Sequence, residues 1–178
     1  MLRIRCRSDG ILSVLLGHVE GRVVRDLPAR LRAVLEDPAF SDRATSRLFP
    51  PAYADPRREK EYRRLLGEDL VRRKLENVEA FERTLRDWRE RKDGIEVLIR
   101  PHDFELWLGF VNDMRLLLGS ELDIADDDWG EELDLDHPGA EDLVLLHFLS
   151  WLEDELLRAS GFEMPPIDPK RIRKRRKE

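Results

Sequence analysis

Residues 57–92 run for thirty-six positions without a proline, and their apolar side chains recur at mixed three- and four-residue steps. Tyr62, Leu66, Leu70, Leu75, Val78, Phe81, Leu85 and Trp88 form the series. That spacing places them on one face of a helix and predicts a single helix over 57–92. Gly67 lies inside it and costs about 1 kcal/mol relative to Ala. Opposite charges four residues apart, Glu68 with Arg72 and Glu79 with Arg83, support the exposed face. Arg57, Arg58, Arg63, Arg64, Arg72, Arg73 and Lys74 are interleaved with acids, which describes a solvated amphipathic face rather than a nucleic-acid stripe.

The flanking segments change period. In residues 2–7, Leu2, Ile4 and Cys6 alternate with Arg3, Arg5 and Arg7, the period of a half-buried strand. Ser8-Asp9-Gly10 supplies turn chemistry and 11–16 a second apolar run, so a β-hairpin is expected. Val19, Val23, Leu27, Leu31 and Leu35 recur every four residues and predict a helix over 18–36, kinked or split at Pro28 and stopped at Asp37-Pro38. Residues 39–56 read as an ordered loop whose RLFPPAY stretch (47–53) docks Leu48, Phe49 and Tyr53 on the core.

Asp93-Gly94 should end the long helix, with a short strand at 95–99 pairing with the hairpin. Pro101 opens a helix over 102–118 that Gly119 should stop. A last helix covers 139–160, with Leu145, Leu149, Leu152 and Leu156 on one face and Gly161 at its end. The expected fold is mainly α (α+β): a bundle of about four helices with a small β-hairpin or sheet at the N-terminus. One helical domain spans 1–162, and a proline-containing exit with a basic tail spans 163–178.

The single cysteine excludes an internal disulfide and a cysteine-based zinc site. Four histidines lie too far apart for zinc-enzyme spacing. The start lacks a secretory apolar region, and no stretch approaches the length of a membrane helix. A cytoplasmic, non-enzymatic protein without cofactor or metal is therefore expected.

Three features carry candidate function. Asn112, Asp113 and Arg115 interrupt an apolar helix. A half-buried Arg115 requires a carboxylate or carbonyl partner, and Asp113 does not face it, so the partner should come from another helix. This cluster reads either as a partner, small-molecule or metal-ion site or as a buried network that fixes packing. Cys6 is a candidate redox thiol, although strand geometry turns it from Arg5 and Arg7 and favours a small buried apolar side chain. The third feature is electrostatic. The net charge of −6 divides into a body of 25 basic and 37 acidic residues and a basic arm. Lys170, Arg171, Arg173, Lys174, Arg175, Arg176 and Lys177 are the arm's candidates for contact with nucleic acid or an acidic partner. Nine of the body's acids fall in 121–136, read as a solvated loop because the offsets of a calcium-binding loop fail.

In order, DPAF, RLFPPAY, EYRRLLGEDLVRRKLENV, WLGFVNDMRLLLG and LLHFLSWLEDELL resemble the actinobacterial AosR family over about residues 2–158. That family was first catalogued as a domain of unknown function and later named for transcriptional regulation in oxidative stress. The resemblance implies a regulator acting through protein contacts, with a stress sigma factor of RNA polymerase as partner. It carries over to Leu48, Phe49, Pro50, Tyr53, Asn112, Asp113, Arg115 and Gly119 as positions. A switch by an internal cysteine pair cannot operate in this chain, which has Cys6 alone. Nucleic acid would be met only through the tail, and homo-oligomerisation is left open.

Overall fold

A computed structural model describes residues 2–37, 46–124 and 139–161. The acidic stretch from 125 onward, the proline-containing exit and the basic tail lie outside the described residues, as do 38–45.

The expected hairpin forms from β1 (Arg3–Cys6) and β2 (Leu12–Leu16). Gly10 takes a φ of +78° in the turn, which glycine adopts without a steric penalty. The expected strand is β4 (Gly94–Ile99), which lies antiparallel to β2 with Val14 opposite Val97. A further strand, β3 (Arg89–Arg91), pairs with β4, giving the order β1-β2-β4-β3.

Among the described residues, four long α-helices accompany the sheet, α1 (His18–Glu36), α2 (Pro56–Arg86), α3 (Phe104–Glu121) and α4 (Ala140–Ala159), and residues 46–48 are also helical. The mainly α fold with a small N-terminal sheet is as expected, but four local readings need correction. The long helix ends at Arg86 instead of 92. Arg89-Glu90-Arg91 has no apolar alternation, and β4 alone draws it into a strand. Lys92-Asp93 therefore forms the β3–β4 turn, and Gly94 opens β4. Pro28 does not split α1, which runs through it. The missing hydrogen bond to the Val24 carbonyl is outweighed by burial of the stripe that contains Pro28.

That stripe is Gly21, Val24, Leu27, Pro28, Leu31 and Val34, while Val19 is 62% exposed. A strict four-residue repeat drifts by about 40° per step on a helix of 3.6 residues per turn, so five such positions cannot share a face. Finally, Gly119 does not stop α3. It is buried within the helix, which continues to Glu121. Asp123, at φ +59°, takes the left-handed position, and the Ile124 N–H donates to the Gly119 carbonyl.

The core lies between the inner face of the sheet and the helices. Leu12, Val14, Leu16, Ile95, Val97 and Ile99 alternate inward from β2 and β4. At the centre Phe81 of α2 stacks on Phe110 of α3 at 3.9 Å, with Trp107 at 4.2 Å on its other contact. Such ring pairs add about 0.5–1.5 kcal/mol beyond their buried area. Leu146, Leu149, Leu152 and Leu156 seat α4. No helix among the described residues is long and apolar enough to cross a membrane.

Candidate functional site

The polar residues of α3 separate onto three directions. Asn112 faces solvent. Asp113 is 3% exposed and accepts a hydrogen bond from Lys74 Nζ of α2 at 2.5 Å. Arg115 turns to α4, where its Nε donates to Ser150 Oγ at 3.0 Å and its guanidinium pairs with Glu153. The partner for Arg115 thus comes from another helix, as the sequence required. The three side chains do not converge on a common point, and two of them tie α3 to its neighbours.

Burial pushes the Asp113 carboxyl above its ordinary value, while the Lys74 charge and hydrogen bond oppose the rise. Its Oδ2 finds no partner among the described residues. Lys74 also stands 5.4 Å over the ring of Phe49. Sequence reading passed over Lys74 as one charge among many. The signal was its phase: it lies one turn before Val78, on the stripe that α2 buries.

Lys74 joins α3 to the RLFPPAY segment, which α2 fastens from below. Asp55 caps α2 by accepting from the N–H groups of Arg57 and Arg58 at 2.8 and 3.0 Å, with Pro56 in the first turn. Glu59 reaches back to accept from the N–H groups of Ala52 and Tyr53 at 2.9 and 3.0 Å. Arg63 binds Glu59 at 2.6 Å and donates to the Phe49 carbonyl. Arg47 donates to the Ile124 carbonyl, and a Cβ added to Gly119 would lie 3.2 Å from its guanidinium. The glycine leaves room for that arginine. Leu48 and Phe49 pack on the core as expected. Tyr53 does not. It is 41% exposed and lies edge-on to Tyr62 at 5.8 Å, with Arg58 4.9 Å above its ring.

Beyond this network, the first two-thirds of α2 contain no fully buried residue; these begin at Val78. Leu65 is 60% and Leu66 41% exposed. With Tyr53, Tyr62, Arg57 and Arg58 they line a shallow groove of about 500 Å³. Scattered exposed apolar residues are ordinary, but a contiguous apolar strip rimmed by charge marks a contact surface.

Cys6 corrects an expectation. It is exposed rather than buried, with Sγ 3.6 Å from the Arg7 carbonyl. β1 is an edge strand of the sheet. The basic residues 170–177 lie outside the described residues. No group of three or more metal-ligating side chains occurs among the described residues.

No curated protein and no solved structure matches the chain. A family model described as a domain of unknown function, DUF2017, matches residues 1–160. With the match covering all but the last eighteen residues, the chain belongs to the DUF2017 family.

Proposed function

We propose that this protein is a non-enzymatic regulator that acts by binding another protein, in the manner of the AosR-type stress regulators its sequence resembles, with a sigma factor of RNA polymerase as partner. The observation that carries the reading is the groove on α2. Leu65, Leu66, Tyr53 and Tyr62 present apolar surface beside Arg57 and Arg58 on a helix braced along its other side. Interfaces concentrate aromatic residues and arginine in this way, on a rigid support that loses little freedom on binding. Lys74, Arg63 and Glu59 hold the segment bearing Tyr53 against α2, and Asp113 fixes Lys74.

The test is capture of purified sigma factors and polymerase core by the full chain under oxidising and reducing conditions. Capture is expected with the native sequence and loss of it with Leu65→Glu/Leu66→Glu, whose side chains are exposed and whose replacement leaves the fold intact. Failure to capture any of them under either condition overturns the proposal.

A further inference from the structure

Among the described residues, the outer face of the sheet meets the end of α2 at one side, where Arg83, Thr84 and Asp87 share a cavity with Arg89, Leu98 and Arg100. Strand alternation sends Leu12, Val14, Leu16 and their β4 counterparts inward, so the opposite set faces out. Register places Arg3, Leu15, Glu96 and Arg89 in one row across the four strands, and Arg5, Ser13 and Leu98 in the next. Arginines therefore stand at both margins, on β1 and on β3, and Arg100 follows at the end of β4. Between them lies a floor of half-buried Leu15, Ser13 and Leu98. The one carboxylate in the rows, Glu96, already accepts from Ser13 Oγ at 2.7 Å and pairs with Arg91. Those contacts hold it below the usual carboxylate range. Arg5 and Arg100 make no ion pair among the described residues.

Charged edge strands commonly guard a sheet against edge-to-edge association. That accounts for a cation on β1 or β3. It does not account for the leucines that stand between the two cationic margins. Arg3 on β1 and Arg89 on β3 are three strand spacings apart, about 14 Å, while Arg5 and the line of Arg100 on β4 are two apart, about 10 Å; an α-helix with its side chains is about 10–12 Å across. We infer that the outer face of the sheet is a docking trough for an acidic amphipathic α-helix of a protein partner. Its apolar stripe would lie on Leu15 and Leu98, and its flanking carboxylates would meet Arg3 and Arg5 on one side and Arg89 and Arg100 on the other. A phosphate backbone fits less well. It gains nothing from the leucines, and it meets Glu96 in mid-face. This trough is separate from the α2 groove and specifies the partner's chemistry.

The experiment uses the isotopically labelled full chain and nuclear magnetic resonance. Three probes are titrated: a peptide of about 18 residues with leucines at helical spacing between glutamates, a scramble of the same composition, and a short DNA duplex. The amphipathic peptide should shift amide signals of Arg3–Cys6, Leu12–Leu16 and Gly94–Arg100. Arg5→Glu/Arg100→Glu should weaken it by about tenfold or more, and Leu98→Gln should weaken it with all charges kept. Circular dichroism checks that each variant is folded. Equal binding of the scramble, shifts confined to α2, tighter binding of the duplex, indifference to the charge reversal, or no binding each overturns the inference. Leu65→Glu/Leu66→Glu should leave this binding unchanged, so failure here and failure of the α2 groove are told apart.

Discussion

Asp113 loses most of its hydration between α2 and α3, and Lys74 meets it at 2.5 Å. Removing one member of a buried pair leaves the other charge without compensation, so Lys74→Met should lower stability by about 3 kcal/mol at neutral pH. The loss should shrink in acid, where Asp113 takes a proton. The sign follows from its raised pKa. Between the ordinary value of 3.8 and the higher native one, the native state binds more protons than the unfolded chain, and Asp113's contribution falls as pH rises. Glu96 runs the opposite way. Ser13 and Arg91 lower its pKa, so its contribution is complete above 4.5 and is lost as pH falls through the native value. Urea unfolding across the acid range should show a shallower decline with rising pH in Asp113→Asn than in the native chain. An unchanged pH profile would show that Asp113 is not linked to stability. The demand of Arg115 for a carboxylate on another helix was legible, because the charge lies on an apolar face. That Glu153 answers it was not, since four-residue spacing within a helix says nothing about which helices meet.

Two glycines show how differently one residue type is held at the scale of an element. Gly67 sits inside α2, and a Cβ there would meet nothing within 4 Å. The helix bears its backbone freedom with no return in packing, so Gly67→Ala should stabilise the protein by about 0.5–1 kcal/mol in thermal or urea unfolding. Gly94 has φ +148°, and a Cβ would lie 1.9 Å from the Leu16 carbonyl oxygen. Gly94→Ala must push β4 off β2 or twist the β3–β4 turn, at a cost of more than about 3 kcal/mol. A soluble Gly94→Ala protein with native stability would contradict this register. The hairpin, β4 and the four helices could be read from period and punctuation. β3 could not, because its three residues are all charged and become a strand only through pairing with β4. The phase of α1 was misread because a four-residue repeat looks like a face over two turns and drifts off it over five.

Across the whole molecule, the sequence separates a strongly acidic body from a basic arm but cannot say where the body's own arginines gather. Pairing four short strands puts residues 3, 5, 89 and 100 on one surface, and no local pattern contains that information. The same holds for the clamp that closes the bundle. Arg30 of α1 binds Asp142 at the start of α4 at 2.7 Å and Glu121 at the end of α3 at 2.5 Å, partners 112 and 91 positions away. The Asp142 hydrogen bond chiefly raises the Arg30 pKa above its already high ordinary value, while partial burial opposes it. An arginine that bridges two carboxylates from different helices, at one-third exposure, contributes more than a pair in open solvent. Arg30→Ala should therefore lower stability by about 1–3 kcal/mol. Among the described residues Arg64 pairs only with Glu61 on its own helix in solvent, and Arg64→Ala should change nothing measurable. Chemical unfolding of the two variants side by side decides the matter. Equal, negligible effects would mean that apolar packing alone fixes how α1, α3 and α4 meet.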